Sequence, residues 1–478
     1  MRHPLGSPYV TDQLSLRTQP RNDRPLVASR SYVLYWMQST QRFEDNWALR
    51  LAIREADRIN KPLVIVQTID CAGDPHTSSR FHTFVLQGAH ELATRAEKLG
   101  LTYRLLMIGT GHQGDSQLCR VAESAALVVT DDFPTEGVSS RTARLASLFS
   151  CRLMSVDSVG VVAAGCFERE EYSARTLRPK LERALTLASE AVEDRAPKRG
   201  CHASLLPDVR YTALDVSDVG LAAIVEQCGV ASEPGPVSAR GGLTPARARL
   251  LKFVTNALPD YSRRRTNPSD AEGTSRLSPY LHYGMISPLT VMQTARDAGA
   301  GREYDVFAEE MLTWRALAHN LCLRNADYAS LASAPAWAHR SMEEHAADAR
   351  PQGYTLEALE LAESDDPIWN AGQRELMETG TMHPLVRMLW GKAVVAWAPT
   401  YQHAFDWLVH LNNKYSLDGR DPASYAGVLW CFGKFDRPFV TRPGWGSIRP
   451  MSLSRARAKH DVEEYIERWS GKHLAMSA

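Results

Sequence analysis

Between residues 31 and 165 the chain alternates short β-branched runs with stretches of helical period, and no other feature restricts its fold as much. Tyr32, Val33, Leu34, Tyr35 and Trp36 form an apolar run of strand type. A helical pattern over 43–59 follows, Asn60-Lys61-Pro62 breaks it, and Leu63, Val64, Ile65 and Val66 read as the next strand. A helix over 79–99, with Gly100 as its C-cap, leads to a strand over 103–108. A helix near 117–125 precedes Leu127, Val128, Val129 and Thr130, and a strand over 152–156 follows another helical stretch. Strands joined by helical crossovers run parallel, and a parallel sheet is covered on both faces. The pattern therefore predicts an α/β N-terminal domain with a Rossmann-like parallel sheet. Ligands in such sheets sit at the carboxyl ends of the strands, here Trp36-Met37-Gln38 and Thr130-Asp131-Asp132. No G-x-G-x-x-G follows the first strand, so a nicotinamide-dependent dehydrogenase has no anchor.

From Leu243 onward the strand patterns nearly vanish, and amphipathic stretches over 306–325, 370–380 and 385–397 take their place. The second domain, 243–478, is therefore expected to be all-α. Residues 166–242 carry Gly200, Pro207, Pro234, Gly235, Pro236, Gly241 and Gly242, which marks an interdomain connection with helical pieces over 173–191. Residues 1–30 are polar with scattered Pro and Arg and read as a flexible leader without a signal-type apolar stretch.

No apolar run approaches the roughly 18 residues of a membrane helix, so the expectation is a cytoplasmic protein, nucleoid-associated in a bacterium, with no membrane partner. The eight cysteines are scattered without C-x-x-C pairs, so no metal site is expected and buried free thiols are the simple reading. Lysines and arginines number 55, as do aspartates and glutamates, so net charge does not announce a nucleic-acid binder. Basic residues do cluster, at Arg247, Arg249, Lys252, Arg263, Arg264 and Arg265, and again from Lys434 to Lys459. Taken alone, these are solvated faces.

Five segments carry candidate chemistry. In Gly273-Thr274-Ser275-Arg276-Leu277-Ser278-Pro279, hydroxyls and backbone N–H groups precede a Pro-started helix, which suits an anion. A serine N-cap before Pro at N1 explains the same residues without a ligand. In Glu309-Glu310-Met311-Leu312-Thr313-Trp314-Arg315, Glu310 and Trp314 share a helix face, and a buried carboxyl there would have a raised pKa. Trp369, Trp390 and Trp397 lie in 366–397, where core packing is the default role for tryptophan. The run 411–430 contains Asp-Gly and Asp-Pro turn pairs. The stretch 434–452 holds Arg437, Arg442 and Arg449.

Taken together, these segments resemble the photolyase and cryptochrome family, most closely its class II members that act on cyclobutane pyrimidine dimers. The resemblance is clear over 251–452 and looser over 31–180. It implies an FAD-binding helical domain, with Tyr261, Thr274, Ser275, Leu277, Ser278, Arg387, Asn412, Asp418 and Asp421 at the cofactor. Asn412 would face flavin N5, and Asp418 would form a buried pair with Arg387. Glu310, Trp314, Met388, Asn412 and Trp430 would form the dimer pocket, with Trp430 stacking on the lesion opposite Trp314. Trp390, Trp369 and Trp397 would carry electrons to the flavin, with Trp390 nearest and Tyr354 as a side branch. Arg437 and Arg449 would hold DNA phosphates and fill the gap left by the extruded lesion.

Three departures stand out. Pro384 occupies an Asn or Gly position, Leu385-Val386 replace Tyr-Met, and Ala423-Ser424 lack the usual Gly before Tyr425.

The resemblance implies light-driven repair of dimers by electron transfer from FADH−, acting on UV-damaged single- or double-stranded DNA as a monomer. An antenna pigment would be of the 8-hydroxy-5-deazaflavin type in preference to a folate. Two rivals share some of these features. A cryptochrome-like photoreceptor has the same fold and FAD but signals in place of repair, with an altered dimer pocket and a long C-terminal tail. A dark FAD oxidoreductase would need a reductant site.

Overall fold

The computed structural model describes residues 13–71, 75–108, 112–187, 194–214, 218–350 and 352–470. Six strands form one sheet in the order β1-β6-β5-β2-β3-β4. They are β1 (Thr18–Pro20), β2 (Tyr32–Met37), β3 (Leu63–Asp70), β4 (Thr102–Ile108), β5 (Ala125–Asp131) and β6 (Arg152–Val156). All neighbours are parallel except β1, which runs antiparallel to β6 with Thr18 opposite Val156. Burial on both faces explains why β2, and β5 up to Val129, are continuously apolar rather than alternating. One face packs on the Trp47–Arg58 helix and the other on residues such as Leu118, Val121 and Phe149.

The leader expectation needs correction from residue 13 onward. Gln13–Arg17 is helical, and Arg17 is buried with its guanidinium donating to the carbonyls of Asp157, Gly160 and Val161. The polar composition that suggested a leader reflects an edge strand and a buried arginine, both of which use polar groups inside the fold.

The order of the parallel strands reverses between β2 and β5, where an open sheet of this kind offers a crevice. Here the chain's own carboxylate occupies it. Asp131 accepts from the backbone N–H groups of Gln38 (2.7 Å), Ser39 (2.9 Å) and Thr40 (3.2 Å), and from the Tyr35 hydroxyl (2.7 Å). The loop so fixed carries Arg42, fully buried, whose guanidinium donates to the carbonyl of Gly284 in the helical domain (3.0 Å). Gly284 has φ +62, and a Cβ there would stand 2.5 Å from the Ser39 carbonyl oxygen, so the junction needs glycine.

Among the described residues, everything from Leu243 onward is helical or irregular apart from one isolated bridge between Arg442 and Gly446. Phe81 and Phe84 of the Ser79–Leu99 helix enter the core of the helices over 243–311, which joins the two domains. The connection divides between them. Its Ala174–Leu187 helix packs beside Leu317, and its Asp218–Gln227 helix packs on the Ser79–Leu99 helix through Leu221, Ile224 and Val225.

The expected helix over 306–325 is three pieces: Arg302–Ala308 and Arg315–Arg324 are α-helical, and Glu309–Trp314 is a π-helical turn. A wider turn of this kind is rare and re-aims the side chains on it. It carries both Glu310 and Trp314.

Candidate active site

The helical domain encloses a cavity of about 720 Å³. Its wall includes Ser275, Ser278, Glu310, Trp314, Arg387, Met388, Trp390, Asn412, Asp418, Asp421, Trp430 and Arg449. Most of the candidate residues, scattered over 275–449 in sequence, thus converge on one space. The size and mixed lining suit a large, partly polar ligand.

The Gly273–Ser278 segment is held from behind. Arg249 donates to the carbonyls of Thr274 and Ser275 (both 2.9 Å) and pairs with Glu272 (2.5 Å), while Arg264 pairs with Asp270 (2.6 Å). Two of the six basic residues clustered over 247–265 are therefore internal bracing for this loop. Ser278 then starts the Ser278–His282 helix with Pro279 behind it, so the loop's hydroxyls face the cavity at Ser275 and Ser278. Leu277 is fully buried in the adjoining core, and Thr274 and Tyr261 do not line the cavity. Tyr261 packs edge-on against Phe253 and Phe307 and lies under the Arg265 guanidinium.

Arg387 organises the opposite wall. It donates to Asn412 Oδ1 (2.9 Å) and Ser416 Oγ (3.2 Å) and lies 3.5 Å from Asp418. The Arg387 side chain keeps 28% of its surface exposed, so the expected buried pair is a partly solvated one. Asp421 caps the Pro422–Cys431 helix and meets His282 Nδ1 at 3.0 Å. Burial alone would raise its pKa, but the His282 hydrogen bond and the nearby Arg315 and His319 hold the carboxyl well below the usual range.

Glu310 pairs with Arg265, a partner that the arginine run did not reveal as such. Burial pushes its pKa up, and Arg265 only partly offsets that, leaving the carboxyl above its ordinary range. Trp314 and Trp430 stack directly on each other, with ring centres 4.7 Å apart and planes at 28°. A base between them would need about 7 Å, two van der Waals contacts, so the rings must part to admit one. Lys392, wholly buried, donates to the carbonyls of Cys431 (2.9 Å) and Trp430 (3.3 Å) and so anchors the Trp430 backbone. Its position in a helix gave no sign of that role.

Trp390, at the cavity wall, begins a continuous line of rings. It stacks on Trp369 at 6.1 Å and 11°, Trp369 meets Trp397 at 5.7 Å, and Trp397 meets Tyr354 at 5.1 Å. The Trp369 indole N–H donates to the Trp390 carbonyl (3.1 Å), and that of Trp390 donates to Gln373 Oε1 (3.1 Å). Tyr354 is half-exposed, so the line runs from the cavity toward solvent and Tyr354 extends it.

Pro384 is benign. It opens the Pro384–Trp397 helix at its first turn, where no N–H is required, and His383 Nδ1 caps the turn by accepting from Leu385. Pro384→Ala is expected to lower stability by about 0.4–1 kcal/mol through the unfolded chain, as read by urea unfolding.

Beside the cavity mouth, Arg442 and Gly446 exchange two hydrogen bonds (both 2.9 Å) to close a tight loop. Arg437 and Arg449 are exposed, and Arg449 lies over Phe439 (5.8 Å). Val440 is 83% exposed, an apolar tip among arginines that the reading of charge alone passed over. Lys434, counted with this basic group, is instead buried on Glu170 (2.6 Å).

A family model described as DNA photolyase matches residues 33–198. The deoxyribodipyrimidine photo-lyase of Methanothermobacter thermautotrophicus is 33% identical, over 92% of this chain and 95% of its own. That of Arabidopsis thaliana is 32% identical, over 93% and 90%. Among solved structures, a class III photolyase from Agrobacterium tumefaciens aligns with a TM-score of 0.68 at 20% identity, over 92% of this chain and 86% of that one. A Sulfolobus tokodaii photolyase structure with two FAD molecules aligns at 0.65 and 18%, over 91% and 89%. These two structures share the fold.

Proposed function

The chain belongs to the deoxyribodipyrimidine photo-lyase family, and from that premise we propose how its cavity divides the work. The enzyme repairs cyclobutane pyrimidine dimers in UV-damaged DNA in a light-driven reaction. Reduced FAD, when bound, supplies the photoexcited electron that opens the cyclobutane ring.

The donor set fits that group. Ser275 and Ser278 offer hydroxyls to the pyrophosphate, with Thr274, Leu277 and Tyr261 shaping the loop behind them. Arg387, Asn412 and Asp418 supply a guanidinium, an amide and a carboxylate for the ring, and Asp421 anchors the neighbouring helix. We assign the class II type on Met388, Asn412 and Trp430. The observation that carries this reading is the single cavity holding serine hydroxyls, the Arg387 cluster and the Glu310 carboxyl together.

Photolyases act on a lesion taken out of the stack. Glu310 then donates a hydrogen bond to a pyrimidine carbonyl, where negative charge develops, and Trp314, Met388 and Trp430 pack on the dimer. Arg437 and Arg449 hold backbone phosphates, so binding weakens as salt rises. Trp390, Trp369, Trp397 and Tyr354 bring electrons inward to restore the reduced cofactor. The antenna pigment is of the 8-hydroxy-5-deazaflavin type, readable in the absorption spectrum of the purified protein, and the enzyme works as a monomer.

The test compares dimer loss from irradiated DNA under blue light and in darkness. Light-dependent loss is expected, and no loss in either condition with reduced FAD bound would overturn the reading. Glu310 adds a sharper check. Its raised pKa keeps the donating, protonated form present below the shifted value and removes it as pH rises through that value. Repair per photon is therefore expected to decline with rising pH in the parent. In Glu310→Gln, which always donates, that decline should vanish. Glu310→Ala is expected to lower the yield about tenfold, the loss of one hydrogen bond to a charged group, with flavin content unchanged. Loss of FAD from that variant would move Glu310 to the cofactor side.

A further inference from the structure

We propose that Cys71, His82 and Cys228 form a buried site for one zinc ion, which ties the interdomain connection to the sheet domain. The two sulfurs and a ring nitrogen all lie within 4.8 Å of one another. Each ligand comes from a different element. Cys71 directly follows β3, where its N–H donates to the Ile108 carbonyl of β4 (2.9 Å). His82 sits in the first turn of the Ser79–Leu99 helix, and Cys228 directly follows the Asp218–Gln227 helix of the connection.

The histidine points to a ligand independently of the thiols. His82 is 3% exposed, yet neither ring nitrogen has a well-formed hydrogen bond. A buried imidazole left in that state carries a desolvation cost that a metal bond removes. The backbone carbonyls of Ser78 and Asp70 act on the same ring, which suits one nitrogen oriented by a carbonyl while the other ligates. The two sulfurs lie within 4.8 Å of each other, and the Cys228 thiol donates to the Ile224 carbonyl (3.2 Å), a bond that it gives up as a thiolate on zinc.

Charge and size agree with zinc. Two thiolates and a neutral imidazole around Zn2+ give a net charge of zero, so the buried site adds no charge to a setting where Asp70 and Arg420 already act on His82 with opposite signs. Binding replaces two thiol protons, which leave to solvent, and no electron moves. Thiolates at about 2.3 Å from zinc in tetrahedral geometry lie about 3.7 Å apart, so small side-chain rotations close the site. Two sulfurs and one nitrogen leave a fourth position for water.

The full-length, FAD-loaded protein, purified under reductant, is incubated with zinc and desalted, and its zinc content and zinc-edge X-ray absorption are measured. One zinc per chain is expected, with two sulfurs at about 2.3 Å and a nitrogen at about 2.0–2.1 Å. Cys71→Ser, Cys228→Ser and His82→Ala should each lower retained zinc at least tenfold in protein that still holds FAD. Absence of retained zinc, a shell without sulfur, or equal retention by the Cys71→Ser/Cys228→Ser double variant would overturn the proposal. So would recovery of the two cysteines joined in a disulfide. If the variants do not fold, the absorption edge of the parent protein decides alone.

Discussion

Trp390→Phe is expected to slow the photoreduction of oxidised FAD by at least about tenfold, while repair by chemically pre-reduced enzyme stays near the parent level. The reason is position. Trp390 is the one member of the ring line that also borders the cavity, and it overlaps Trp369 nearly in parallel. A benzene ring is much harder to oxidise than an indole, so phenylalanine keeps the packing and removes the relay, and 1.4 kcal/mol of added barrier is already about tenfold in rate. The variant also loses the N–H that satisfies Gln373 Oε1, at a cost of about 1 kcal/mol in stability. Flavin content and unfolding midpoint therefore need to be measured beside the photoreduction rate. Collapse of repair in the pre-reduced variant would show that Trp390 serves the lesion side, and the electron route would be wrong.

Arg387→Ala should have the larger effect on the cofactor. One guanidinium holds Asn412, Ser416 and Asp418 in place, and its removal leaves the Asn412 amide oxygen without its donor and the Asp418 carboxylate, still bonded by the Ser416 hydroxyl, without its counter-charge. Loss of one member of a fully buried pair costs about 3–5 kcal/mol. Here the arginine is partly solvated, so about 1–3 kcal/mol is the better expectation. That corresponds to FAD binding weakened about tenfold to a hundredfold. Equilibrium dialysis of the flavin measures it, and Arg387→Lys should recover part of the loss because it restores charge without the two-pronged geometry. Full FAD occupancy with an unchanged flavin spectrum in Arg387→Ala would remove Arg387 from the cofactor wall.

Some residues were legible in type but not in partner. Glu310 is notable in sequence because of Trp314 nearby, yet its ion pair is with Arg265, from a run that reads as a solvated face. The three arginines of that run have three different partners, Asp260, Asp270 and Glu310, which no charge count distinguishes. Trp314 and Trp430 both read as walls of a pocket. Only their coordinates reveal that they touch each other. Pro384 shows the opposite case, an odd residue whose consequence depended on where a helix begins. Three residues later its missing N–H would have removed the first rung, from Arg387 N–H to the His383 carbonyl, whereas at the start of the first turn it costs nothing.

What the sequence determined by itself was everything recorded in near neighbours. Period-2 and period-3.6 patterning marked the strands and helices of the first domain, and the Ser79–Leu99 helix with its left-handed Gly100 cap could be read directly. The local wording of 273–284 and 411–430 carried the family resemblance that proposes them as cofactor loops, whereas their turn and cap chemistry alone reads as ordinary helix caps and connections. The tertiary structure alone decided which distant groups meet. It set the order of Trp390, Trp369, Trp397 and Tyr354, the stack of Trp314 on Trp430, and the approach of Cys71, His82 and Cys228. The physical reason is that a local pattern records which face of an element is buried. The neighbour that buries it is fixed by close packing of elements far apart in the chain, and cysteines without a C-x-x-C spacing carry no mark of the partner that folding supplies.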